Sequence, residues 1–186
     1  MLEGIKKLHF VGIGGVGMSA IAEVMLDKGY EISGSDLSES AVVKHLKAKG
    51  ATIYKGHDAL NVEGKEALVL SSAIHQDNPE LVAAKAKGLK LFHRSDILAY
   101  LLNDAKGIAV AGAHGKTTTS SMISVVLEHA KVDPTILIGG FVDYLKGNAK
   151  LGKSDYLVAE ADESDGSFLK FYPKIAVVTN IEDDHM

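Results

Sequence analysis

The sequence predicts an α/β chain of two parallel-sheet units, each with a glycine turn where its first strand meets a helix. Three features carry that prediction. Short apolar runs alternate with helical patterns along the chain, the order that gives parallel strands joined by right-handed crossovers. Gly12-Ile-Gly-Gly-Val-Gly17 follows the first apolar run, and Gly112-Ala-His-Gly-Lys-Thr117 follows a later one. Between them Asn103-Asp-Ala-Lys-Gly107 is polar and breaks the pattern, which divides the chain into residues 1–104 and 105–186.

Composition narrows the ligands. At 186 residues and 46% hydrophobic the chain can bury one large core or two small ones. A net charge of -4 and 6% aromatics give no support to a nucleic-acid surface, so small anionic ligands are expected. The absence of cysteine excludes disulfides and thiolate metal sites and fits a reducing compartment, hence a cytoplasmic location. MLEGIKKLHF lacks an apolar export region, and no apolar stretch approaches the roughly 20 residues that cross a bilayer, so no membrane partner is expected.

In the first unit, residues 8–13 read as a buried strand, and Met18, Ile21, Ala22, Met25 and Leu26 mark one side of the helix after the turn. A strand at 31–35 precedes a helix that opens near Ser38 and Glu39 and runs through Val42, Val43 and Leu46. Strands at 51–54, 67–71 and 89–92 and a helix at 79–87 complete the sheet, with Ser95 an N-cap for a helix through Leu102. In the second unit a strand begins at Ile108, a helix spans about 116–130, and a strand at 135–138 leads into a loop at 139–148. Tyr156-Leu-Val-Ala-Glu160 is an apolar strand ending on a carboxylate, and a last strand at 175–179 leads to Asn180-Ile-Glu-Asp-Asp-His185.

Gly12, Gly14 and Gly17 satisfy Gly-x-Gly-x-x-Gly in the strand, turn and helix context of a Rossmann-like site, and Asp36 ends the next strand near where an acid meets a ribose hydroxyl. The signal is generic, because amides at a helix start hold the diphosphate of NAD or of a nucleotide sugar alike. Asp36 reads equally well as a turn or helix-start charge. Ser71-Ser-Ala-Ile74 falls at a strand's carboxyl end, the edge of such sheets that carries ligands, although by itself it is a polar loop.

The second turn is a shortened P-loop, with Val110 where the first glycine of Gly-x-x-x-x-Gly-Lys-Ser/Thr would stand. A tight turn with a surface lysine explains Gly115 and Lys116. It does not explain the hydroxyl of Thr117, which falls where a magnesium ligand is wanted. Glu160, at the end of the strand opposite the lysine, is the first metal candidate, while Asp162, Glu163 and Asp165 read as a solvated loop. The Asp-His pair ending at His185 suits a divalent metal or a phosphate. His9, His45, His57, His75, His93 and His129 show no ligand spacing, and His114 stands out only by lying inside the loop.

Taken in order, GIGGVGMSA, SSAI, AGAHGKTTTSS, EADESDGSF and TNIEDDH resemble the Mur ligases of peptidoglycan synthesis across the whole chain. The GGVGMSA and AGAHGKTTTSS spellings are most similar to the branch that adds L-alanine to UDP-N-acetylmuramate. The branch that attaches a recycled tripeptide to the same sugar nucleotide is similar in these blocks. The resemblance implies a Rossmann-like UDP-binding domain, a central P-loop ATP-binding domain and a carboxyl-terminal amino-acid-binding domain. It also implies that a chain stopping at Met186 is an N-terminal fragment, inactive by itself, whose half-built central domain exposes sheet edges and apolar surface.

Carried over residue by residue, the resemblance implies that Gly14, Gly15, Val16, Gly17, Met18 and Ser19 cradle the UDP diphosphate, with Asp36, Ser71, Ser72, Ala73 and Ile74 near ribose and uracil. Gly112, Ala113, His114, Gly115, Lys116, Thr117 and Thr118 would hold ATP, and Asn180 would touch nucleotide or substrate. Thr117 and Glu160 would hold one magnesium ion and His185 a second, making Lys116, Thr117, Glu160 and His185 the catalytic set. The implied reaction runs through an acyl phosphate formed on the muramoyl carboxylate and displaced by the L-alanine amine. Lys116 and Mg2+ would screen the repulsion between the two anions. No general base and no oligomeric state are legible. Two readings compete: a NAD-binding oxidoreductase or sensor built on the Gly12 to Gly17 turn, and a nucleotide-binding module without catalysis.

Overall fold

A computed structural model describes residues 1–161 and 166–182. The chain divides into two compact units, Met1–Arg94 and Ser95–Met186. The helix that the sequence reading places before the junction is grouped almost wholly with the second unit.

The first unit is a parallel sheet of five strands, β1 (Lys7–Val11), β2 (Glu31–Asp36), β3 (Thr52–Lys55), β4 (Ala67–Leu70) and β5 (Lys90–His93), in the order β3-β2-β1-β4-β5. The chain leaves β1 toward β2 and β3, then returns to add β4 and β5 on the other side. That reversal opens a crevice at the carboxyl ends of β1 and β4, where open α/β sheets take their ligands. Helix α1 (Val16–Asp27) begins at the crevice and buries Ala20, Ile21, Ala22, Val24 and Met25. Helix α2 (Ala41–Ala48) starts later than the Ser38 and Glu39 opening anticipated. The reason is local: Ser38 is drawn into a turn with Asp36, and Ser40 becomes the N-cap, accepting from the Val43 amide at 3.3 Å. Helix α3 (Pro79–Ala86) has proline in its first turn and Asn78 as N-cap.

The second unit contains β6 (Lys106–Ala111), α5 (Lys116–His129), β7 (Thr135–Val142), β8 (Gly147–Lys150), β9 (Tyr156–Glu160) and β10 (Ile175–Val178), with sheet order β10-β6-β9-β7-β8. Four strands are parallel. The expected loop at 139–148 is instead a hairpin, because β7 continues to Val142 and β8 returns antiparallel to it. Gly139 and Gly140 signal a turn in sequence, yet here they lie within a strand whose missing side chains make room for neighbours. Lys150 of β8 pairs with Glu128 and, at 2.8 Å, with Asp133, fixing the hairpin's return.

Helix α4 (Arg94–Asp104) carries a second correction. Ser95 lies inside its first turn rather than capping it, and its hydroxyl accepts from Lys170 Nζ at 2.9 Å. On the sheet's outer side β10 leaves Ile175 and Val178 exposed, beside an apolar hollow of about 520 Å³ lined in part by Ala113, Phe168, Phe171 and Ile181.

Candidate functional site

At the carboxyl end of β1, two consecutive residues of β2 hold three consecutive amides of the first glycine turn. The Ser35 carbonyl accepts from Gly12 at 2.9 Å and from Ile13 at 3.0 Å, and Asp36 Oδ2 accepts from Gly14 at 2.8 Å. Gly15 closes the turn on the Gly12 carbonyl at 3.1 Å. The other Asp36 oxygen takes the Ser38 amide and hydroxyl at 2.9 and 3.1 Å, so this carboxylate is a fastener of the turn. Ile74 approaches Gly12 closely: a Cβ built on that glycine would lie 3.6 Å from Ile74 Cδ1. The Ser71 to Ile74 stretch therefore flanks the turn, with Ser72 and Ala73 exposed. Met18 and Ser19 are buried in α1, which leaves their backbone as the part that can face a ligand. Arg94 was not singled out by sequence, yet its Nη1 would lie 3.6 Å from a Cβ placed on Gly17.

Beneath this turn sits a charge that sequence reasoning missed. Glu80, in the first turn of α3, is fully buried. Its Oε1 faces His9 Nε2 at 3.2 Å and accepts from Asn61 at 2.7 Å, while its Oε2 accepts from the Ser35 hydroxyl at 2.6 Å and faces His57 Nδ1 at 2.9 Å. Burial alone would raise this carboxyl, but the bonds from His9, Ser35, Asn61 and His57 outweigh it and hold the group at about 2. Glu80 is therefore an ionised, fully engaged carboxylate, with His9 Nε2 as a donor to it and His9 Nδ1 facing Ser33 at 2.9 Å. In the sequence it is indistinguishable from any acid at a helix start.

The second turn is built with the opposite charge. Lys116 folds back so that Nζ donates to the Gly112 carbonyl at 2.5 Å and lies 3.4 Å from that of Ala113. Gly115, with φ 81°, caps the helix that Lys116, Thr117 and Thr118 begin. The strand end of β10 clamps the loop from the side: Thr179 Oγ1 donates to the His114 carbonyl at 2.6 Å, and Asn180 meets the His114 amide and carbonyl at 3.0 Å each. Gly112 is required at its position, since φ is 131° and a Cβ would fall 2.2 Å from Thr179 Oγ1. His114 also reaches Glu182, Nε2 to Oε2, at 3.4 Å.

Glu160 ends β9 opposite this loop, in register with Val110 of β6. Thr117 Oγ1 lies 3.3 Å from Glu160 Oε2, and Ser120 Oγ lies 3.4 Å from Oε1. Gly139 leaves the carboxylate its space, because a Cβ there would sit 2.7 Å from Oε2. Lys116, Thr117, Glu160 and Asn180 thus converge on one loop, whereas His185 and the acids at 162, 163 and 165 lie outside the described residues. Among the described residues no cluster of three or more His, Cys, Asp or Glu is arranged to hold a metal. The arrangement is instead one carboxylate with the Thr117 and Ser120 hydroxyls beside it, facing the second glycine loop. Thr179, Ser120 and Gly139 were not anticipated, since each acts through a neighbour that only the fold supplies.

Comparison with known proteins places the chain in a family. The Mur ligase family catalytic domain matches residues 7–118, and the Mur ligase middle domain matches residues 110–186. The chain belongs to the Mur ligase family. Among curated relatives, this Mur ligase chain is 57% identical over 184 residues to UDP-N-acetylmuramate--L-alanine ligase of Hydrogenobaculum sp., covering 99% of this chain and 41% of the relative. It is 55% identical over 181 residues to the ligase of the same name from Dictyoglomus turgidum, covering 97% of this chain and 39% of the relative. The chain therefore spans about 40% of the length of these relatives. Among solved structures, UDP-N-acetylmuramate-alanine ligase from Thermotoga maritima superposes with a TM-score of 0.90 at 36% identity, covering 96% of this chain and 42% of that one. The UDP-N-acetylmuramate:L-alanyl-gamma-D-glutamyl-meso-diaminopimelate ligase from Neisseria meningitides gives a TM-score of 0.89 at 31% identity, covering 98% and 62%.

Proposed function

We propose that this chain is the nucleotide-binding part of an ATP-dependent ligase that joins L-alanine to UDP-N-acetylmuramate in peptidoglycan synthesis. The observation that carries the choice of amino acid is the 54–57% identity, over nearly the whole chain, to relatives bearing the L-alanine ligase name. The tripeptide-adding alternative rests on a structure at 31% identity. In this reading residues 1–104 form the UDP-binding domain and 105–186 part of the ATP-binding domain. The amino-acid-binding residues belong to the share of the relatives that this chain does not span.

The turn at 12–17 presents the first turn of α1 to the UDP diphosphate, with Asp36 and Ser71 to Ile74 beside ribose and uracil. The loop at 112–118 presents the first turn of α5 to the ATP phosphates. Lys116 exchanges the carbonyls it now holds for phosphate oxygens, and its charge offsets repulsion as the muramoyl carboxylate approaches the γ-phosphorus. The carboxylate oxygen forms the new P–O bond, ADP leaves, and the amine of L-alanine then displaces phosphate to give the amide. Thr117 and Glu160 fit Mg2+, since a hydroxyl and a carboxylate are hard oxygen donors and magnesium keeps water and phosphate oxygens for its remaining positions. Bound there, the ion would neutralise charge on the phosphates. Asn180 holds the loop through His114, and His185 is assigned to a second ion. A cytoplasmic location is part of this proposal; among the described residues no helix is long and apolar enough to cross a membrane.

Calorimetry with UDP-N-acetylmuramate, ATP with Mg2+, and NAD in parallel tests the reading. Binding of the first two and not the third is expected, with no ligation by this chain alone. Tight NAD binding without sugar-nucleotide binding would overturn it.

A further inference from the structure

The Glu80 cluster is a buried polar assembly of the first unit, and no step of the proposed reaction uses it. It joins four separate pieces of chain: β1 through His9, β2 through Ser35, the segment after β3 through His57 and Asn61, and the start of α3. What distinguishes it from ordinary core polarity is where one of those bonds leads. Ser35 gives its hydroxyl to Glu80, and its carbonyl takes the Gly12 and Ile13 amides. The next residue, Asp36, takes the Gly14 amide. The end of β2 is thus gripped by Glu80 below and grips the glycine turn above.

We propose that Glu80 is a positioning residue for the first glycine turn, holding Ser35 so that the turn and the start of α1 keep the geometry that receives a diphosphate. This rests on the proposed sugar-nucleotide site for its ligand, but the mechanical link stands on the hydrogen bonds alone. An ionised carboxylate suits the task because it accepts four bonds at once, and acceptors of that strength fix their donors within narrow limits. Glutamine at the same place keeps one acceptor and turns the other toward Ser35 and His57 as an amide donor. The Ser35 hydroxyl then has no carboxylate to donate to. Ser35→Ala breaks the same link from the other end and leaves Glu80 its three remaining partners.

The test uses the whole 186-residue chain in two measurements. Calorimetry with UDP-N-acetylmuramate is expected to show affinity reduced about tenfold by Glu80→Gln and about threefold by Ser35→Ala, the range of one lost charged or neutral positioning bond. ATP with Mg2+ should bind both variants as it binds wild type. Native-state hydrogen exchange is expected to show faster exchange at Gly12, Ile13 and Gly14, with Leu8 and Phe10 of β1 unchanged. A merely stabilising Glu80 would speed all amides that exchange by global unfolding together and leave affinity within twofold of wild type; that result overturns the proposal. If Glu80→Gln does not fold, Ser35→Ala decides by the same criteria. If wild type does not bind the sugar nucleotide but the selective exchange pattern is found, the ligand reading falls and the positioning role stands.

Discussion

The two glycine turns share a strand-turn-helix grammar but are held by opposite charges. The first rests on carboxylates: Asp36 takes the Gly14 amide, and Glu80 anchors Ser35, which takes the two amides before it. The second is held by a cation, Lys116, laid across the Gly112 and Ala113 carbonyls, and by the uncharged clamp of Thr179 and Asn180. A turn whose amides are fastened to a fixed strand end, two to the Ser35 carbonyl and one to the Asp36 carboxylate, is a rigid shelf, suited to an anion that binds and stays chemically unchanged. A turn fastened by a long side chain has a fastener that can leave, which suits a phosphate whose charge and bonding change during reaction. Under the proposed function, the same local fold would separate a platform from a working part by the sign of the charge behind it.

The largest effect expected is from Lys116→Ala. It should reduce ATP affinity of this chain on the order of 100-fold and abolish turnover in a protein of the relatives' full length, measured by calorimetry and phosphate release. Next is Gly112→Ala, whose methyl would meet Thr179 Oγ1 in a backbone conformation that alanine rarely adopts. Thermal denaturation should show the second unit destabilised by about 1–3 kcal/mol, while the first unit is unaffected. A third difference appears in acid. The Glu80 carboxyl is lowered from 4.5 to about 2, so its contribution to stability is complete above the unfolded value and is lost as pH falls through about 2. Acid titration followed by circular dichroism should therefore show first-unit stability falling between pH 4.5 and 2 in wild type, and a flatter profile in Glu80→Gln. Smallest is Asp36→Ala, which strands the Gly14 amide and should cost about 1 kcal/mol of first-unit stability.

Legibility followed the physics of each feature. The alternation that gave both sheets is local, and so are the glycine turns, since one strand and one helix specify them; Tyr156–Glu160 matched because its apolar run ends sharply in a charge. The hairpin at β7 and β8 was hidden because Gly139 and Gly140 mean turn in isolation and close approach in context. Ser95 failed as a cap because Arg94 already lies in the helix. In the candidate site, Lys116, Thr117 and Glu160 were readable by position, as ends of elements that the fold brings together. Glu80 and Thr179 were not, because their roles depend on residues about 45 and 65 positions away that only the folded sheet brings near.

In the proposed function the two turns are separate anion sites of different construction. Titrating UDP-N-acetylmuramate and ATP with Mg2+ into wild type and Lys116→Ala tests it most directly. An unchanged dissociation constant is expected for the sugar nucleotide and one weakened on the order of 100-fold for ATP in the variant. A parallel fall in both affinities, or an ATP affinity that the substitution leaves unchanged, would contradict it.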